Sequence, residues 1–166
     1  RRERTELKTN RENLKSNRKP NLLKRRFRLA RPGEILLTDV SYLKYGLNRT
    51  EYLSCVKDAV SGRVVSHITS SGNDLNLAMD TVDTLDPAED AIFHSDQGSL
   101  YLNDFFQNRI KELGYSQSMS RRGNCWDNAS QESFFGHMKD ECDLSGCSTP
   151  EGVKKMIDDY VYYYNN

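Results

Sequence analysis

The chain has 166 residues, 36% of them hydrophobic and 29% charged, which is enough for one folded domain with a core of its own. Its formal net charge is zero, yet residues 1–31 hold 13 Lys and Arg against 3 Glu, so the remainder is acidic and a nucleic-acid partner is not excluded. No apolar run approaches the roughly 20 residues of a membrane helix, and the 4 Cys lack the spacing of a zinc site; we therefore expect a cytoplasmic protein without either feature.

The basic segment of residues 1–31 is predicted to be a linker or arm that is partly disordered. It has almost no apolar periodicity, and Lys24, Arg25 and Arg26 follow its first apolar pair. Such a segment is either a solvated tail or an arm whose cations contact DNA phosphates, and the sequence leaves both open. A Pro-Gly pair comes next, so residues 32–166 are assigned to the core.

The core is predicted to begin with three strands joined by short turns, at residues 34–44, 51–57 and 63–69. The elements that follow are helix 74–85, strand 91–94, helix 102–113, strand 115–119, and two helices that begin at Asn128 and Thr149. Consecutive strands with short connections form an antiparallel meander, whereas strands joined through helices are usually parallel. The order therefore predicts an α/β fold with a five-stranded mixed sheet flanked by helices.

Two aspartates interrupt apolar runs that are predicted to be buried strands. Asp39 lies within the first strand, and Asp96 follows the strand at 91–94 and precedes Gly98. An acidic side chain in a buried strand is costly unless a positive group compensates it. Either aspartate alone also fits a turn or an edge position. The nearby His94 either orients Asp96, contacts a substrate or forms structural hydrogen bonds.

Glu132 lies near the start of the next helix, on the flank of its apolar face. Asn128 and Gln131, three positions apart, are typical of a capping box at this helix start. Lys139 returns to within roughly 20° of Glu132 on a helical wheel, so an acid and a base share one edge of the helix. For an isolated glutamate, that edge is most simply a solvated salt bridge.

Taken together, the three acidic residues predict a shared partner. Three neighbouring carboxylates repel one another unless cations lie among them. Mg²⁺ prefers carboxylate, water and phosphate oxygens, and a pair of such ions roughly 4 Å apart can activate a hydroxyl for phosphodiester attack. Asp39, Asp96 and Glu132 are therefore candidate ligands for metal-assisted phosphoryl transfer on nucleic acid.

Four motifs resemble those of bacterial insertion-sequence transposases with a retroviral-integrase-type catalytic core. They read TDVSYL at 38–43, HSDQGS at 94–99, SMSRRGNCWDNA at 118–129 and ESFF at 132–135. The resemblance extends over about residues 21–166. It implies a ribonuclease H-like fold and a polynucleotidyl transferase that cuts DNA at element ends and joins the 3′-OH to a target phosphodiester.

The resemblance also implies the site and its partners. Asp39, Asp96 and Glu132 correspond to the family's DDE triad, which is both catalytic and metal-binding. The implied cofactor is Mg²⁺ or Mn²⁺, with two ions in the active complex. The implied partners are element ends and target DNA, bound by a homo-oligomer at the bacterial nucleoid and without a membrane.

Four further side chains are candidates for DNA contact. Arg121 and Arg122 lie in the polar loop before the helix of Glu132, where phosphate contact and a solvated turn are both open. Trp126 either stacks on a base or packs in the core. By analogy with integrases, Lys139 is assigned as a phosphate ligand.

Two other functions fit the sequence. One is a ribonuclease H-like nuclease that only hydrolyses nucleic acid. The other is an inactive transposase remnant that binds DNA through residues 1–31. A structural Ca²⁺ site is disfavoured because the three acids lie far apart in the chain and on different elements.

Overall fold

The chain folds into the predicted succession of strands and helices in a computed structural model, which describes residues 16–23, 30–120 and 129–166. The strands are β1 (Ile35–Tyr45), β2 (Arg49–Asp58), β3 (Val64–Ser70), β4 (Ile92–Ser95) and β5 (Ser116–Met119). The helices are α1 (Leu75–Asp83), α2 (Asp104–Glu112), α3 (Ala129–Glu141) and α4 (Pro150–Asn165), with a short 3₁₀ helix at Leu144–Gly146.

The strands form one sheet in the order β3-β2-β1-β4-β5. β1, β2 and β3 pair antiparallel, as expected for a meander, and β4 and β5 extend the sheet in parallel beside β1. Parallel neighbours need a crossover connection, which α1 and α2 supply. The predicted five-stranded mixed sheet is confirmed, and the carboxyl ends of β1 and β4 lie at the same edge.

Each face of the sheet is covered by a different pair of helices. Leu36 and Val56 pack with α1 and α2, whereas Leu43 and Leu53 pack with α3 and α4. Successive strand residues point to opposite faces, so Asp39 has the same parity as Leu43 and is directed toward α3. Within the described ranges, none of these helices is long and apolar enough to cross a membrane.

Helix α2 ends at Glu112 with Leu113 as its C-cap, and the next residue, Gly114, has the positive φ of 86° that is typical after a helix end. A Cβ at this position would clash with the Ala88 carbonyl oxygen, so only glycine fits. The apolar spacing of residues 102–113 in the sequence predicts that Phe105 and Phe106 both lie on the buried face. This prediction is wrong for Phe105, which is 73% exposed. The buried stripe runs instead through Phe106 and Ile110, four residues apart, and Phe105 lies one 100° step away from it.

Part of the basic segment, residues 16–23, lies along the outer edge of the sheet. The Leu22 N–H donates to Ser118 Oγ at 2.9 Å, and the Met119 N–H donates to the Pro20 carbonyl oxygen at 3.4 Å. An uncovered edge strand presents unpaired N–H and C=O groups. These contacts cover β5 and attach the segment to the core.

The turn after β2 depends on one buried carboxylate. Asp58 is 4% exposed, and its oxygens accept hydrogen bonds from Gly33 N–H at 3.0 Å, Val60 N–H at 2.9 Å and Ser61 Oγ–H at 2.8 Å. Asp58→Ala leaves two backbone donors without this acceptor, and we expect it to lower the free energy of unfolding by about 2–3 kcal/mol in urea denaturation. Asp58→Asn keeps one acceptor oxygen and should lose roughly half as much. Equal stability of the alanine variant and the wild type would contradict this role.

Candidate active site

Asp39 and Asp96 are brought to the same level by the pairing of β1 with β4. Leu37 pairs with His94 in this parallel ladder, and extending the register by two residues sets Asp39 beside Asp96. Adjacent strands lie about 4.8 Å apart. β4 ends at Ser95, so Asp96 occupies the carboxyl end of its strand, where α/β proteins gather ligands. Residues 57 positions apart in the chain therefore meet at one edge.

Asp39 is half-buried, and its charge is destabilised by its surroundings. Its pKa is raised from 3.8 to about 6, mainly by burial; the Val40 N–H, which donates to Asp39 Oδ1 at 2.8 Å, lowers it, and the negative charges of Asp96 and Glu132 raise it. Coulomb energy falls with distance, so both carboxylates lie near enough to act on Asp39. The three predicted site residues thus share one electrostatic neighbourhood.

Asp96 is exposed, and its carboxylate is held by the turn that follows β4. Its Oδ1 accepts a hydrogen bond from the Gly98 N–H at 2.7 Å. The space beside this carboxylate is tight, because a Cβ added at Gly98 would lie 2.8 Å from Asp96 Oδ1. Glycine at position 98 therefore permits the observed carboxylate position.

Glu132 is exposed in the first turn of α3, and its neighbour Gln131 attaches that turn to the sheet. Gln131 is fully buried, and its Nε2 donates to the carbonyl oxygens of Leu37 and Cys55, each at 2.9 Å. These two bonds from the Gln131 amide to β1 and β2 are a role that the predicted capping box does not include. Asn128, the other half of the predicted capping box, lies outside the described residues.

Lys57 was not identified from the sequence and lies against the same helical turn. It is 2% exposed, and its Nζ donates to the Ser130 carbonyl oxygen and to Ser130 Oγ, each at 3.1 Å. The signal that was available is a lysine among apolar residues in β2, but strand lysines are more often solvated at edges. For Gln131 the sequence pattern indicates only a helix cap.

The donor set of the site fits a hard divalent cation. Three carboxylates supply the oxygen ligands that Mg²⁺ prefers. A cation among them would relieve the repulsion that, after burial, also raises the Asp39 pKa. In the part of the chain that the structure describes, no three His, Cys, Asp or Glu side chains form a group that could hold a metal ion. The three carboxylates therefore lie close enough to affect one another's charge without forming such a group among the described residues.

His94 forms structural hydrogen bonds, one of the roles open from the sequence. Its ring is fully buried, with Nδ1 at 2.8 Å from Ser118 Oγ and Nε2 at 2.9 Å from Ser120 Oγ. The Gln97 side chain also donates to the Ser120 carbonyl oxygen at 3.0 Å. These bonds join the end of β4, two residues before Asp96, to the end of β5.

Lys139 is the one predicted DNA-contact residue that the structure describes. Its Nζ lies 4.1 Å from the ring centroid of Tyr42, a favourable cation–π arrangement. Both residues line an open cleft of about 760 Å³ between the end of β1, the end of α3 and the 3₁₀ helix. The remaining candidates lie outside the described residues: Lys24, Arg25, Arg26, Arg121, Arg122 and Trp126.

Similar solved structures include the catalytic domains of a transposase and an integrase. The catalytic domain of Mos1 mariner transposase is similar with a TM-score of 0.63, over 93% of this chain and 79% of that chain at 13% identity. The HTLV-2 integrase catalytic core in complex with magnesium gives a TM-score of 0.57, over 81% of this chain and 88% of that chain at 17% identity. The predicted ribonuclease H-like fold is confirmed.

Two family models, each described as an integrase core domain, match residues 30–125 and 113–166. The chain therefore belongs to the integrase core family. It is 40% identical to a protein named as the transposase InsK of insertion sequence IS150 from Escherichia coli K12, over 89% of this chain and 53% of the relative. It is 36% identical to a transposase-like protein of Haemophilus influenzae, over 88% and 69%, and 32% identical to the transposase of insertion sequence IS904 from Lactococcus lactis, over 89% and 60%.

These relatives confirm the predicted resemblance to bacterial insertion-sequence transposases with an integrase-type core. The chain spans about half the length of InsK and 60% of the length of the IS904 transposase. What is established for this chain is therefore its family and its fold.

Proposed function

We propose that the chain is the catalytic core of a DNA transposase, a polynucleotidyl transferase that cuts DNA strands and joins their 3′-OH ends to target DNA. The observation that carries the proposal is the meeting of Asp39 and Asp96 on adjacent parallel strands, with the charge of Glu132 acting on the same carboxyl. The family relatives named as transposases support the same activity. In this proposal Asp39, Asp96 and Glu132 are the DDE triad.

The triad carboxylates would hold Mg²⁺ or Mn²⁺, with two ions in the active complex. When bound, such ions polarise the phosphodiester and lower the pKa of an attacking hydroxyl. The magnesium complex of the HTLV-2 integrase core supports this cofactor choice.

The protein's own contribution is to orient the three carboxylates and the DNA. The Val40 and Gly98 N–H groups restrict the rotation of Asp39 and Asp96, and the anchored turn of α3 directs Glu132. In-line phosphoryl transfer needs little more than positioning and charge stabilisation. No side-chain general base is required in this scheme.

DNA is proposed to lie across the triad and the cleft that contains Lys139. Lys139 would then contact a phosphate from its position above Tyr42. Residues 1–31 would serve as a basic arm on the DNA backbone, attached to the core of residues 32–166, and Arg121, Arg122 and Trp126 would complete the contact surface. A homo-oligomer at the bacterial nucleoid would bridge two DNA ends.

Oligonucleotide assays with free 3′-OH ends test the proposed activity. With Mn²⁺ or Mg²⁺, we expect labelled products longer than the substrate, because strand transfer attaches the labelled end to a second duplex. Asp96→Asn should remove these products, since it removes a charged triad ligand while changing few atoms.

The two rival functions predict different products in the same assay. Shortened products without any lengthened ones would support a nuclease that only hydrolyses. Salt-sensitive DNA binding with no cutting under either metal would support an inactive remnant. Cutting that persists in Asp96→Asn would show that the triad is misassigned.

A further inference from the structure

A buried lysine holds the helical turn that carries Glu132. Lys57 Nζ bonds to both the carbonyl and the hydroxyl oxygen of Ser130 and lies 5.3 Å from the ring centroids of Phe134 and Tyr164. Ser130 and Phe134 flank Glu132 on α3. The ammonium group therefore joins strand β2 to both sides of the proposed catalytic glutamate.

Gln131 attaches the same turn to the sheet through a second set of bonds. Its Nε2 bonds to one carbonyl of β1 and one of β2, so α3 is attached at residues 130 and 131, directly before Glu132. Gln131 Oε1 is buried and has no hydrogen-bond partner among the described residues. Ser130 and Gln131 thus attach α3 through polar bonds, whereas the rest of its buried face is apolar and includes Phe135 and Met138.

Burying the Lys57 ammonium group lowers the stability of the fold. Among the described residues, no carboxylate lies within ion-pairing distance of Lys57, and burial of an ammonium group without a counter-ion destabilises the folded state. A cation near a helix N-terminus also opposes the helix dipole. An apolar side chain of similar volume would pack at position 57 without these costs.

The placement of Lys57 relates it to the proposed site. Lys57 pairs with Leu37, and Cys55 pairs with Asp39, so Lys57 and Asp39 are diagonal neighbours on the sheet face that α3 covers. Diagonal neighbours in an antiparallel pair lie roughly 7–8 Å apart. Lys57 therefore fixes the first turn of α3 next to the strand position of Asp39.

We propose that Lys57 and Gln131 are positioning residues that hold Glu132 toward Asp39 before any metal binds. The inference rests on the proposed function, in which these carboxylates share a metal. Without a cation, three carboxylates repel one another, and repulsion favours movement of the first α3 turn away from the sheet. The two anchors oppose that movement, so the site is preorganised for the ion.

The test compares Lys57→Met with the wild type in metal-free protein by hydrogen exchange. We expect the amides of residues 133–135 to exchange about 10-fold faster in the variant, because the turn loses two hydrogen bonds, while α4 and the sheet are unchanged. The melting temperature should stay the same or rise, because an apolar side chain replaces a buried cation. Gln131→Leu should give the same local result. Lys111→Met, on α2 at the opposite face, should change neither quantity.

Mn²⁺ affinity, measured by electron paramagnetic resonance, is the second readout. We expect a roughly 10-fold weaker affinity in Lys57→Met. Unchanged exchange at residues 133–135, or faster exchange spread over the whole domain with a lower melting temperature, would overturn the positioning role. Mn²⁺ binding that is identical in wild type and Asp39→Asn would count against the proposed function instead, and the metal-free exchange result still decides the role of the anchors.

Discussion

Asp39→Asn should abolish the proposed strand cutting and joining while making the metal-free protein more stable at neutral pH. The ionised carboxyl is held in a half-buried position near two other negative charges, which raises its pKa to about 6. Asparagine removes the charge and keeps an Oδ1 that can accept from the Val40 N–H. A pKa shift of this size corresponds to a loss of at most about 3 kcal/mol in the free energy of unfolding when the group is ionised. Water screens a half-buried group, so we expect a gain of about 1–2 kcal/mol.

The sign of this effect depends on pH. The carboxyl has a pKa of 3.8 in the unfolded chain and about 6 in the folded protein, so the folded state binds the proton more tightly. Below about pH 4 the group is protonated in both states, and its ionisation penalty is absent. As the pH rises through about 6, the Asp39 carboxyl of the folded wild type ionises and the free energy of unfolding falls. Asp39→Asn has no such group, so its stability does not change for this reason. The difference between the two proteins should therefore be near zero at about pH 4 and largest above about pH 7.

Urea denaturation with a chelator, repeated from acid to neutral pH, measures this difference. Asp80→Asn, which removes an exposed carboxylate on α1, is the matched control and should change stability by less than about 0.5 kcal/mol. Added Mn²⁺ should stabilise the wild type through binding linkage and leave Asp39→Asn unchanged. A variant that is less stable than the wild type at neutral pH without metal would refute the electrostatic argument.

The positions of Asp39 within β1 and of Asp96 just after β4 could be predicted from the sequence, because the signal for each is local. Each is an acidic residue at an otherwise apolar strand, and burial of the neighbours follows from strand alternation alone. Their meeting was predicted only from a shared cation and from the family resemblance, because β2, β3 and α1 separate β1 from β4 in the chain. The order of the sheet then sets β4 beside β1, and the register sets Asp96 beside Asp39.

The anchors of α3 could not be predicted, because their signal is tertiary. Lys57 is buried only because α3 and α4 cover that part of β2, and the side chains that enclose it come from residues 130–164. Gln131 occupies a position that suits a helix cap, and the competing bonds to Leu37 and Cys55 arise from how α3 lies on the sheet. The prediction that Phe105 is buried was wrong for a related reason. Helical spacing does not determine which of two adjacent apolar residues faces the core.

Gly98→Ala should reduce strand transfer by about 100-fold with little change in stability. A Cβ at this position would lie 2.8 Å from Asp96 Oδ1, closer than real Cβ contacts, so the carboxylate must move. Movement also disturbs the bond from the Gly98 N–H to that oxygen. A displacement of about 1 Å at a reacting group can cost on the order of 100-fold in rate. The loss of folding stability should be small, because the exposed Asp96 side chain can rotate without repacking the core.

Gly136→Ala is the matched control for this substitution. It lies in α3, four residues after Glu132, and a Cβ there would meet nothing within 4 Å. Alanine favours a helix over glycine by roughly 0.5–1 kcal/mol, so this variant should gain about that much stability and keep its strand-transfer rate. Rates from single-turnover assays and Mn²⁺ affinities should fall together in Gly98→Ala only. Full activity in Gly98→Ala would mean that the rotation of the Asp96 carboxylate is not what the turn after β4 controls.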